Sequence, residues 1–121
     1  MIANILSAFE EDGATYVGFA TDSAGAEYVT LSLADGSDPQ DKALGLGGLH
    51  IEVNDQSNSG YDLVRWIKIE PSAVTLTVDK TVCSDAIDAL RIEIPPQAPD
   101  RVKVLAALRE ICRAAAVPVE G

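Results

Sequence analysis

Gly48-Leu49-His50-Ile51-Glu52-Val53-Asn54-Asp55-Gln56-Ser57-Asn58-Ser59-Gly60-Tyr61-Asp62 is the stretch whose reading decides the fold. Its first half alternates without a break. Leu49, Ile51 and Val53 fall on one face, and Gly48, His50 and Glu52 on the other. A period of two marks a strand that buries one side and shows the other to water. The second half has no hydrophobic residue from Asn54 until Tyr61 and reads as a polar loop. The stretch holds the chain's only histidine, with acids and carboxamides that folding alone does not require in one place. It is therefore the candidate site.

The same alternation recurs on both sides of it. Val29, Leu31 and Leu33 share a face in 28–33, and 73–78 and 90–94 alternate in the same way. Residues 63–69 alternate too, with Trp66 opposite Ile67 and Ile69, and 2–9 and 14–20 read as two further strands. Asp12-Gly13, Asp22-Ser23-Ala24-Gly25, Asp35-Gly36 and Glu70-Pro71-Ser72 separate these runs with turn-forming residues. Connections this short favour antiparallel neighbours, because a parallel crossover needs a dozen or more residues.

One helix is expected at 100–115, where Val104, Leu105, Leu108, Ile111 and Cys112 form an apolar stripe. Pro99 and Asp100 suit its first turn, Arg109 and Arg113 complement the dipole near its end, and Pro118 stops it. A short second helix is expected at 84–89 with Ser84 as its N-cap. The fold class is α+β: a mostly antiparallel meander, one face covered by the C-terminal helix. The opposite face then carries Thr30, Ser32, His50, Glu52, Thr75, Thr77, Arg91 and Glu93, open to a partner. The glycine-bearing loop 36–48 reads as mobile.

A chain of 121 residues is expected to form one domain, 1–121. Only six residues are aromatic, so the core must be built from Val, Ile, Leu and Ala. A net charge of −10 repels nucleic-acid phosphates and anionic membrane surfaces, and speeds encounter with a basic partner. Cys83 and Cys112 lie outside any CxxC pattern and read as buried thiols in a reducing compartment. The N-terminus has no basic segment ahead of its short apolar run, and no stretch nears the roughly 20 apolar residues of a membrane span. A cytoplasmic location is expected.

His50 and Glu52, two apart on one strand, point the same way, and Asp55 can approach from the loop. Such a trio raises a metal site or a general acid/base couple. Stable metal sites need three or four placed ligands, and no second histidine or cysteine pair completes this one. Ser57 and Ser59 lack a nucleophile elbow, and Gly45-Leu46-Gly47-Gly48 precedes a strand and lacks the Lys-Ser/Thr of a phosphate loop. The expectation is no catalytic residue, metal or cofactor. The acids at 10–12 and at 35, 38 and 41 read as solvated turns, or as an acidic edge that imitates a nucleic-acid backbone.

Gln40-Asp41, Leu44-Gly45, His50-Ile51-Glu52-Val53-Asn54-Asp55-Gln56 and Ser59-Gly60-Tyr61-Asp62, in this order, resemble the immunity protein 10 family of bacterial polymorphic toxin systems. The Phe19 strand, the 28–33 strand and the strands after Tyr61 fit as well. Asp62 stands where the family's tyrosine is often followed by glycine. The resemblance implies a non-enzymatic protein that binds and neutralises a cognate toxin domain. The resemblance does not mark the contact residues; the expected partner site is taken from the central polar segment, at His50, Glu52, Asn54, Asp55, Gln56, Tyr61 and Asp62. Two other readings remain: a metal-dependent or acid/base enzyme centred on His50 and Glu52, and a small ligand-binding domain with a pocket between sheet and helix.

Overall fold

The Asp12-Gly13 pair turns the chain on itself with both residues at positive φ, 51° and 76°. Two such residues make the hairpin turn whose twist matches that of the strands it joins. In a computed structural model describing residues 1–22, 27–34, 48–61, 63–78 and 89–121, with 55–58 as backbone alone, this hairpin joins β1 (Ile5–Glu11) to β2 (Ala14–Ala20). β3 (Tyr28–Ala34), β4 (His50–Val53) and β5 (Asp55–Tyr61) continue the same sheet in sequence order, every pairing antiparallel.

A second sheet has the order β8-β7-β6-β9, built from β6 (Val64–Ile69), β7 (Ala73–Val78), β8 (Ala89–Glu93) and β9 (Val119–Glu120). Helix α1 (Arg101–Ala114) lies between β8 and β9 in the chain and packs against β1, β2 and β9. The expected class, antiparallel strands with one C-terminal helix, is the one found. The meander divides in two after β5 because β9 pairs parallel with β6, Ile67 opposite Val119. That pairing takes the edge of β6 that an unbroken meander would give to β5. The expected polar face divides with it: Thr30, Ser32, His50 and Glu52 on the first sheet, Thr75, Thr77, Arg91 and Glu93 on the second.

The polar loop expected after Val53 is a strand. Asn54 alone turns the chain, at φ 60°, and β5 returns along β4. Ser, Asn and Gly have low strand propensity, but backbone pairing with β4 outweighs the local preference. The pairing steps from Val53–Asp55 to Glu52–Ser59, so residues 56–58 oppose nothing on β4 and bulge. A second bulge falls between Val64 and Trp66. It inserts Arg65 and lets Val64 and Ile67 both face inward, which strict alternation forbids.

One apolar core runs through both sheets and the helix. Val17, Leu31 and Ile51 from the first sheet, Ile67, Val74 and Leu76 from the second, and Val104 and Leu108 from α1 are wholly buried in it. Each such side chain contributes about 1.5–3 kcal/mol over its exposed state. Residues 1–3 bridge the sheets: Ala3 N–H donates to Glu93 O at 2.8 Å before the chain enters β1.

Asp100 stands at the N-cap of α1 in the left-handed region, φ 63°, and its side chain caps nothing. Side-chain capping needs extended backbone at this position, so the expected first-turn role of Asp100 is not realised. The C-terminus closes more fully. Val117 N–H donates to Cys112 O at 2.8 Å and Ala116 N–H to Arg113 O at 3.2 Å, with Ala116 at φ 60°. This is a Schellman closure with alanine where glycine is usual. Arg109 then holds Gly121 O at 3.1 Å. The short helix expected at 84–89 lies outside the described residues up to Asp88, and Ala89 opens β8. Cys83, Asp62, the acids at 35, 38 and 41, and the expected loop as far as residue 47 also lie outside them.

Candidate functional site

Antiparallel register carries one row of side chains straight across the first sheet. Phe9 stands opposite Tyr16, Tyr16 opposite Ser32, Ser32 opposite His50, and His50 opposite Tyr61. The neighbouring positions Ala8, Val17, Leu31 and Ile51 point into the core, so this row points out. At one end the rings of Phe9 and Tyr16 stack, centroids 5.1 Å apart and 12° from parallel. At the other, His50 and Tyr61 meet edge to face at 4.8 Å and 63°. Offset and edge-to-face contacts of this kind are the favoured aromatic geometries. Phe9 and Tyr61 remain 47% and 42% exposed, so each offers an apolar ring to a partner.

The adjacent outward row holds Ser7, Gly18, Thr30, Glu52 and Ser59. The phenol of Tyr28 donates to Glu52 Oε2 at 2.6 Å, which holds the carboxylate beside the aromatic row, on the side towards Tyr28. Among the described residues no lysine or arginine forms an ion pair with Glu52. Asn54 has a different task. Its Oδ1 accepts from Tyr28 N–H at 2.7 Å while its own N–H donates to Tyr28 O at 3.0 Å. The amide that closes the β4–β5 turn is thereby used within the fold.

His50, Glu52 and Tyr61 are thus brought together on one outer face, and Asn54 is turned to the backbone of β3. Asp55 pairs with Val53 and Gln56 opens the bulge of β5, both described by backbone alone, and Asp62 lies outside the described residues. His50 and Glu52 are each engaged by an aromatic neighbour. Among the described residues no three His, Cys, Asp or Glu side chains group as metal ligands. A cleft of about 470 Å³ opens between α1 and the first sheet, lined by Ala8, Glu10, Thr15, Leu33, Lys103 and Ala107 among others. Cys112 is buried and free, and burial pushes its thiol up to about 12. Among the described residues no helix is long and apolar enough to cross a membrane.

Phe9, Tyr16 and Tyr28 were not singled out from the sequence. A signal for two of them is present there. A two-residue Asp-Gly hairpin pairs Glu11 with Ala14, and counting back by twos sets Phe9 against Tyr16. Tyr28 carries no such local signal, because its partner Glu52 is 24 residues away.

A family model described as Immunity protein 10 matches residues 2–101, the span of both sheets except β9. No curated protein and no solved structure matches the chain.

Proposed function

The chain belongs to the immunity protein 10 family, and from that premise we propose that it binds a cognate bacterial toxin domain and blocks it by stoichiometric association, without catalysis. The match over residues 2–101 carries this reading, since immunity names the role and the match spans eight of the nine described strands. The net charge of −10 supports it, by steering a basic partner into encounter. The toxin belongs to a polymorphic system and the encounter takes place in the bacterial cytoplasm, where a toxin would otherwise harm its own producer. Neither metal nor cofactor is required.

Co-expression with the toxin domain encoded beside it tests the proposal. The expected results are rescue of growth, co-purification as a stable complex, and an association rate that falls as salt rises. Failure both to bind and to protect sinks the reading, and a salt-independent rate removes its electrostatic part. The cleft between α1 and the first sheet favours one second reading, a small-ligand-binding domain. A thermal-shift screen with metabolites checks it, and a ligand that raises the melting temperature of wild type but not of an Ala107→Phe variant supports it.

A further inference from the structure

We propose that the toxin domain docks on the outer face of the β1–β5 sheet, with Phe9–Tyr16 and His50–Tyr61 as two aromatic anchors and Glu52, in the row beside them, receiving an arginine or lysine. This rests on the toxin-binding reading above and adds the surface and the chemistry of the contact.

The distribution of aromatic residues is the first ground. The chain has six, and four of them, Phe9, Tyr16, Tyr28 and Tyr61, stand on this one face. Only Phe19 serves the core. A protein short of aromatics that builds its core from aliphatics and displays its rings on a sheet face has placed them where binding energy concentrates. Aromatic anchors dominate protein interfaces, and apolar rings left in water carry a standing cost.

Charge is the second ground and selects the partner. Among the described outward positions of this sheet there is no lysine or arginine, whereas Glu11 and Glu52 are both there. The faces of aromatic rings attract cations, so the two ring pairs and the carboxylate favour the same sign of charge. The hydrogen bond from Tyr28 fixes Glu52 in advance, so less freedom is lost when a cation arrives. Tyr16 and His50 are two strands apart, about 10 Å at the usual strand spacing. Ser32 stands between them and Thr30 between Gly18 and Glu52 in the next row, both small side chains that leave room for the partner's long basic side chain. The second sheet is built otherwise: its Arg91 lies 3.5 Å from Glu70 and 4.0 Å from Glu93, its charge already answered within the chain.

The platform beneath is rigid, since Val17, Leu31 and Ile51, alternating with the row, are wholly buried. Edge-on strand addition at β5 is the less suited mode, because the bulge at 56–58 interrupts the regular ladder that an added strand needs.

The test measures binding of the neighbouring toxin domain to the full chain and three variants. Phe9→Ala and Tyr61→Ala each remove an exposed ring, and Ser32→Arg puts a positive charge between the two ring pairs; circular dichroism checks that all three fold. Val102→Ala, on the exposed side of α1, is the control. The expected result is a loss of tenfold or more for each alanine variant, a larger loss for Ser32→Arg, and none for the control. Wild-type binding with folded face variants unchanged overturns the surface and leaves the toxin-binding reading intact. No binding by wild type overturns both.

Discussion

Tyr28, the first residue of β3, donates its phenol proton to Oε2 of Glu52, the third residue of β4, at 2.6 Å. The bond runs diagonally across the outer face, since Thr30 is the residue directly opposite Glu52. Removing the donor by Tyr28→Phe keeps the ring and loses the bond to Glu52. Stability should fall by about 1 kcal/mol, read as a lower urea midpoint at unchanged slope. Glu52→Gln keeps an acceptor and should cost less. Equal losses for the two variants would show that the hydrogen bond is not what links these residues.

Asn54 combines a left-handed backbone, φ 60°, with a side-chain acceptor for Tyr28 N–H. Alanine loses both features and should destabilise by roughly 2–3 kcal/mol. Glycine recovers the conformation but not the bond, so its melting temperature should fall between those of wild type and the alanine variant. An Asn54→Gly protein that melts with wild type would mean the side-chain bond contributes nothing.

Ala116 occupies the position after the end of α1 where glycine is usual, with φ 60°. A left-handed alanine costs about 1–2 kcal/mol, partly offset because glycine makes the unfolded chain more flexible. Ala116→Gly should therefore stabilise by roughly 0.5–1 kcal/mol, seen as a rise in melting temperature. A fall would place the cost elsewhere in the helix end.

Cys112 is wholly buried, and desolvation pushes its thiol from an ordinary 9.0 up to about 12. The folded chain thus keeps this proton to higher pH than the unfolded chain does. The stabilisation is complete below pH 9.0 and is lost as pH rises from there to about 12. Unfolding free energy measured across that window should fall more steeply for wild type than for Cys112→Ala. Alkylation at pH 8 should be slow until denaturant is added, and rapid modification of Cys112 in the native protein would contradict its burial.

Much of the fold is legible along the chain. The turn at Asp12-Gly13, the strand at 14–20 and the stripe of Val104, Leu108, Ile111 and Cys112 all come out where local pattern puts them. β5 does not, because Asp55-Gln56-Ser57-Asn58-Ser59-Gly60 has neither strand composition nor alternation. Its structure comes from the backbone groups of β4, a demand that no local window registers. Of the expected site residues, His50, Glu52 and Tyr61 share the outer face. Asn54 shared their neighbourhood in sequence, but its amide is spent on the β3 backbone.

By itself, the sequence determined the buried face of β3, of β4 and of α1, because side-chain period depends only on local geometry. It also determined the charge and the shortage of aromatic residues. The tertiary structure alone decided that Phe9, Tyr16, Tyr28 and Tyr61 meet on one surface, and that the meander splits where β9 takes the edge of β6. Both depend on strand register and pairing. Those are chosen by hydrogen bonds between residues far apart in the chain, and periodicity carries no information about them.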